Sequence, residues 1–178
     1  MDDDDVRRGR PAVHKAYDLP TAINAGDAML AIAFEAMAVA EGIEPALLPF
    51  LVKRIGRMVR KCSEGQQLDI DFENKDDVTL DEYLNMIELK TAVLVGAALK
   101  MGAIISEASE TDLQNIYNFG VNLGIAFQLQ DDYLDTFGDQ LLVGKAIGGD
   151  IVENKKTAMY HLAMSNSNKQ QKEEEGGL

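Results

Sequence analysis

Apolar residues recur at three- and four-residue spacing through most of the chain, and no stretch alternates with the period of two that a half-buried strand requires. The pattern predicts an all-α fold. Between residues 19 and 40 the only charged side chains are Asp27 and Glu35, while Leu30, Ala33, Phe34 and Met37 keep helical spacing among alanines. A helix apolar nearly all round must be covered on most sides, by its own domain or by a second subunit. Glu44-Pro45 opens a second helix with Leu48, Leu51, Ile55, Met58, Val59 and Cys62 on one stripe. Its other face carries Lys53, Arg54, Arg57, Arg60 and Lys61. Residues 63–78 are polar and mostly acidic, and break the pattern. Thr79-x-x-Glu82 reads as a capping box starting a third helix that runs to about Ser106. Thr111 caps a fourth, containing Leu113, Ile116, Tyr117, Val121, Gly124 and Phe127 and ending near Gly138. A glycine-rich loop over 138–154 and a short helix from about Lys156 precede the tail SNSNKQQKEEEGGL, which is too polar to fold alone.

At 178 residues, 46% of them hydrophobic, the chain can bury the core of one domain. Its 17 Lys and Arg stand against 30 Asp and Glu, a net charge of −13, which argues against nucleic acid or an anionic membrane surface as the main partner. An anionic substrate would need a cation between itself and the protein. Cys62 is the single cysteine, so no intramolecular disulfide forms, which fits a reducing, cytoplasmic setting. Met1 is followed by four aspartates in place of the basic and then apolar start of a secretion signal. The longest apolar stretch, 91–105, contains Lys100 and falls short of the roughly 20 residues that span a bilayer.

The strongest site signal is Gln128-Leu129-Gln130-Asp131-Asp132-Tyr133-Leu134-Asp135, near the end of the fourth helix. Asp131 and Asp135 fall one turn apart on one face, with Asp132 beside them and Gln128 a turn earlier. Three carboxylates at a helix C-terminus meet an already negative dipole end, so a cation is expected there. Oxygen donors without nearby His or Cys favour a hard cation such as Mg²⁺, which takes one or two carboxylates, waters and phosphate oxygens. The bland alternative is a solvated acidic helix end. Against it stands the ladder Gly120, Gly124, Gln128, Asp132, whose glycines let another backbone approach the same face.

A second cluster, Asp2 to Asp5 followed by Val6-Arg7-Arg8-Gly9-Arg10-Pro11, pairs acid with guanidinium, which binds phosphate oxygens through a bidentate fork. Taken alone it reads as a charged, disordered terminus or an acidic tag remnant, although no Lys follows the aspartates as a protease tag would require. Lys90-Thr91 sits within the apolar third helix, where a lysine snorkels to the surface or points into a polar site. Lys145 and Lys155 flank Gly148-Gly149-Asp150, which lacks the P-loop pattern and follows no strand. Asp69-x-Asp71-x-Glu73 begins like a calcium loop but has Asn74 and Leu80 where that loop needs Gly and Glu. His14 and His161 are isolated, and Cys62 lies on an apolar stripe as a core residue would.

Together these residues resemble the polyprenyl synthetase family of trans-isoprenyl diphosphate synthases, which includes farnesyl and geranylgeranyl diphosphate synthases. Residues 127–135 with Gly138-Asp139 are similar to the family's second aspartate-rich motif. Residues 7–14, RRGRPAVH, are similar to the segment after the first, with Ala12 where Thr is usual. Gly26-Asp27-Ala28, Gly65-Gln66, Lys90-Thr91, Lys145, Gly149-Asp150 and Lys155-Lys156-Thr157 keep the family's order and spacing. The resemblance implies an isoprenoid-synthase type of helical bundle, partial here, over residues 1–164, with 165–178 as a polar tail. It implies a Mg²⁺-dependent prenyltransferase that condenses isopentenyl diphosphate with an allylic diphosphate, working as a homodimer. Under it Asp131 and Asp135 bind Mg²⁺ with Asp132 in support, and Asp2 is what remains of the first motif. Arg7, Lys90, Thr91, Gln128, Lys145 and Lys155 hold the allylic diphosphate, and Arg8 holds isopentenyl diphosphate. Catalysis would rest on Lys90, Asp131 and Lys145.

The chain departs from the family at both ends: the two leading aspartates of the first motif and the helices before it have no counterpart, and a polar tail stands where closing helices are usual. Two other readings therefore stay open. One is a catalytically inactive, truncated subunit that pairs through the helix of residues 19–40 and the helix after it with a full-length partner; the other is a helical bundle whose acidic clusters are accidental.

Overall fold

Helix follows helix through residues 5–139, 147–168 and 170–171, which the computed structural model describes. The exception is a short hairpin: β1 (Val6–Arg7) pairs antiparallel with β2 (Arg10–Pro11), Val6 opposite Pro11. Arg8 and Gly9 turn between them at φ of 52° and 73°, the left-handed pair that a two-residue hairpin turn needs. Strands of two residues are too short to show an alternation, so the sequence pattern does not report them.

A one-turn helix, α1 (Val13–Ala16), leads into α2 (Leu19–Ala38), where the Asp18 side chain accepts the backbone N–H of Thr21 at 2.7 Å. No residue of α2 is buried within the chain. A 3₁₀ turn, Pro45–Leu47, opens α3 (Leu48–Glu73). That helix does not stop at the polar stretch after Cys62: it continues for another three turns because the stretch is amphipathic. Leu68 and Phe72 pack on the core, Asp69 is buried, and Gln67 donates to Asp71 at 2.8 Å on the wet side.

Thr79 and Glu82 form the capping box that starts α4 (Leu80–Ile87). The expected long third helix is then interrupted by a π turn, Glu88–Ala92, before resuming as α5 (Val93–Ile105). Its cause is visible across the interface with α3. A Cβ on Gly65 would fall 2.2 Å from the Lys90 backbone nitrogen, so the two main chains touch where the helix widens. Ser109, not Thr111, caps α6 (Glu110–Phe137), accepting the Asp112 N–H at 3.2 Å. Gly138 closes it. α5 and α6 lie backbone against backbone, as the glycine ladder anticipates. A Cβ on Gly120 would stand 2.7 Å from Gly96 Cα, and one on Gly124 2.5 Å from Ala92 Cα.

Further along the chain are α7 (Gly149–Val152) and α8 (Ala158–Asn166). The core gathers where these elements meet. Val78, Tyr83, Met86, Ile87 and Ala158 are buried together, with Leu68 and Phe72 of α3, Ile125 and Leu129 of α6 and Met159 of α8 packed around them. Among the described residues no helix is long and apolar enough to cross a membrane.

Candidate functional site

The π turn sets the site. By widening one turn of helix it turns Lys90 toward α3 and Thr91 toward α6. Lys90 Nζ donates to Asp69 Oδ2 at 2.6 Å, a pair in which the aspartate is almost fully buried. Thr91 Oγ1 donates to Gln128 Oε1 at 2.9 Å, and Gln128 Nε2 in turn donates to Asp132 Oδ1 at 3.0 Å. The other oxygen of Asp132 accepts the Tyr83 hydroxyl. A relay of four side chains thus ties α4, the π turn and α6 into one polar seam through the apolar core.

Asp132 is 4% exposed, and burial pushes its carboxyl above the usual range, against the opposing pull of the Tyr83 and Gln128 donors. Burial also raises the Tyr83 hydroxyl, reinforced by the charge of Asp132. One turn on, Asp135 is 3% exposed and accepts the Asp150 N–H on Oδ2 at 3.0 Å, while its carbonyl accepts the Gly148 N–H at 2.7 Å. Those two bonds pin the start of α7 to the end of α6. Lys155 lies 2.6 Å from Glu153 Oε2 and 3.6 Å from Asp150 Oδ1. Lys156 beside it is 5% exposed, yet its Nζ has no hydrogen-bond acceptor among the described residues.

One cavity joins these groups: Lys90, Gln128, Asp132, Asp150, Lys155 and Lys156 line it, with Asp69 at its edge. Of the residues that the sequence singles out, Lys90, Gln128, Asp132 and Lys155 therefore meet directly. Thr91 joins through Gln128 and Asp135 through Asp150. Asp131 is half-buried, and its charge is felt by Asp132. Arg7 and Arg8 stand on the exposed hairpin, and their side chains make no hydrogen bond or ion pair among the described residues. Asp2 and Lys145 lie outside the described residues.

Four members of the site are absent from the sequence-derived set: Asp69, Tyr83, Asp150 and Lys156. Their signals were present but faint. Asp69 follows Gly65 by four residues, on the face where α3 touches Lys90, and Tyr83 precedes Lys90 by seven, two turns along the same side. Cys62 is half-buried and its thiol is pushed up by burial, as suits a packing residue more than a nucleophile.

Charge decides what such a cavity can hold. Asp69, Asp132 and Asp150 balance Lys90, Lys155 and Lys156, so an incoming anion gains only if a further cation comes with it. Every candidate donor is an oxygen, which suits a hard divalent ion. Among the described residues no three His, Cys, Asp or Glu side chains stand close enough to hold a metal by themselves. An ion here would complete its shell with water and with the oxygens of the anion, as Mg²⁺ commonly does. The residues fit such an ion as a shared site, not as a closed cage.

A helical bundle with lysines and carboxylates facing one another at the end of its central helices belongs to the class of helical proteins suited to a polyanion bridged by a divalent cation. Residues 1–175 match the family described as polyprenyl synthetase, and the chain belongs to that family. The geranylfarnesyl diphosphate synthase of Natronomonas pharaonis is 46% identical over 163 residues, 89% of this chain and 46% of that protein. A polyprenyl synthase from Caulobacter crescentus, solved with calcium and isoprenyl diphosphate, superposes with a TM-score of 0.86 at 31% identity, over 96% of this chain and 50% of its own. A geranyltransferase from Helicobacter pylori, solved with magnesium and isoprenyl diphosphate, gives 0.76 at 32% identity, over 82% of this chain and 48% of its own. The chain spans about half the length of the curated relatives that it matches.

Proposed function

We propose that this chain carries the allylic diphosphate site of a Mg²⁺-dependent prenyltransferase that joins isopentenyl diphosphate to an allylic diphosphate. The observation that carries the reading is the Lys156 ammonium, buried without an acceptor among the described residues in the cavity shared by Lys90 and Lys155. A buried unpaired ammonium costs several kcal/mol by order of magnitude, so this one calls for an anion. A diphosphate lying across the three lysines satisfies it.

In this scheme Lys90, Lys155 and Lys156 take the diphosphate oxygens, and Asp131 and Asp135 hold Mg²⁺. Asp132, held by Tyr83 and Gln128, keeps the end of α6 in place. When bound, the metal supplies positive charge that neutralises the diphosphate as it departs. The bond from the allylic carbon to oxygen breaks, and the diphosphate carries away the electron pair. The isopentenyl double bond then attacks the allylic cation, and loss of a proton restores a double bond. Lysines fixed in advance around the leaving group stabilise that charge without having to reorganise. Asp69 holds Lys90 in place for this task. Homodimer formation through α2 belongs to the same proposal.

The test is incorporation of labelled isopentenyl diphosphate into a longer prenyl diphosphate, with allylic diphosphate binding measured alongside. Turnover is expected to require Mg²⁺ and to vanish with EDTA, and Mg²⁺ is expected to tighten allylic diphosphate binding. Lys155→Ala and Asp131→Asn each lower kcat/KM by about 10²-fold or more. Metal-independent turnover, or variants that bind and react as the parent does, would count against the proposal.

A further inference from the structure

The basic face of α3 is not simply a solvated stripe. Arg54, Arg57 and Lys61 border a cavity of about 370 Å³, closed on its far side by Lys100 of α5 and Tyr117 of α6. Arg57 precedes Asp69 by twelve residues on the same helix, so this cavity lies about 18 Å along α3 from the site described above. The two cavities share no lining residue.

Lys100 makes the cavity more than a patch. It is 7% exposed, and its only recorded partner among the described residues is the ring of Tyr117, 5.6 Å from Nζ to centroid. The cation–π contact holds the ammonium beside the ring at the cavity but supplies no acceptor oxygen. No carboxylate reaches ion-pair distance of Arg54, Arg57, Lys61 or Lys100 among the described residues, although acidic residues outnumber basic ones by 30 to 17. Arg60 at the rim is different, being paired with Glu64. Glu88, whose charge bears on Tyr117, makes no ion pair with these cations. Four unpaired positive groups converge on one concavity, and Met58, Val93 and Ala97 supply an apolar wall beside them.

We propose that this cavity is a second anion site, which binds a diphosphate group directly through its cations and without a metal. A single phosphate would leave most of the volume and two of the four charges unused; a diphosphate matches both more closely. Guanidinium groups suit it, since Arg54 and Arg57 can each offer a two-pronged donor to phosphate oxygens. The group can arrive as inorganic diphosphate or as the head of a prenyl diphosphate, whose chain would follow the apolar wall.

The test uses the whole chain carrying Lys90→Ala, Lys155→Ala and Lys156→Ala, which removes the first site's three lysines, in EDTA to exclude metal. Labelled inorganic diphosphate in equilibrium dialysis is expected to bind still, and Arg57→Glu added to that background should weaken binding by about tenfold or more. Raised salt weakens it as well. In the unsubstituted protein, diphosphate should protect Lys61 from acylation in EDTA, a readout that needs no variant to fold. Competition by a prenyl diphosphate equal to that of inorganic diphosphate means that the head alone is recognised; stronger competition places the chain on the apolar wall. Absence of metal-free binding together with an unprotected Lys61 overturns the proposal, as does binding that Arg57→Glu leaves intact. Mg²⁺-dependent binding lost on changing Lys90, Lys155 and Lys156 reports on the first site only, so the two readings fail separately.

Discussion

Tyr83 reaches the centre of the molecule, 2% exposed, and its hydroxyl is placed against one oxygen of Asp132 while Gln128 serves the other. Each partner justifies the other, because a buried carboxylate and a buried hydroxyl would both be costly alone. Tyr83→Phe keeps the ring and its packing but strips Asp132 of a donor, and is expected to lower unfolding free energy by about 1–3 kcal/mol. Asp132→Asn in the same chain removes the charge that needed the donor, so the double variant should lose less than the sum of the single losses. Denaturant unfolding of the four proteins measures this. Additive losses within about 0.5 kcal/mol would show that the bond carries no coupling. At this scale the sequence announces the carboxylates through their spacing, but not Tyr83. A tyrosine in an apolar helix looks like any other core aromatic until the fold sets Asp132 opposite it.

Among the elements, α4 is the one whose start is most fully written in its residues. Thr79 Oγ1 accepts the Glu82 N–H at 3.2 Å, and Glu82 Oε2 accepts the Thr79 N–H at 2.8 Å. Lys75 Nζ adds a bond to Glu82 Oε1 at 2.7 Å. The Lys75 bond first, and the Thr79 donors next, hold the Glu82 carboxyl down to about 2 from its ordinary 4.5. A lowered folded-state pKa gives stability that is complete above the unfolded value of about 4.5 and is lost as pH falls toward about 2. Melting temperature should therefore fall more steeply over that window in the parent than in Glu82→Gln, and parallel curves would refute the linkage. The capping box and the Gly120/Gly124 ladder are local signals, and both the helix start and the close α5–α6 contact were legible from them. The run of α3 past Cys62 and the π turn at Lys90 were not. The apolar positions that carry α3 onward, Leu68 and Phe72, are hidden among acidic residues; the π turn depends on Gly65 meeting the Lys90 backbone across 25 residues of sequence, and a hydrogen-bond slip of one residue leaves no mark on periodicity.

For the whole molecule the unanswered demand is the apolar surface of α2. Phe34 and Met37 of that helix are half-buried on the side facing the rest of the chain. Counting 100° per residue, Met29 and Ile32 point the other way, along with Ala25 and Ala36, and Met29 is 70% and Ile32 58% exposed. A continuous apolar face of this kind is costly in water and suits a matching face on a second copy, the homodimer proposed above. The net charge of −13 on each copy opposes association, and salt screens that repulsion while leaving apolar burial in place. Sedimentation equilibrium should thus show a species of twice the 19.5 kDa chain mass, with association tightening as salt is raised. Met29→Asp with Ile32→Asp puts charge into the face without touching the core and should weaken association by about 10²-fold or more, taking each buried charge to cost at least a few kcal/mol. A chain that stays monomeric at high salt and high concentration would refute the homodimer, and a double variant that dimerises as the parent does would place the subunit contact elsewhere than on α2.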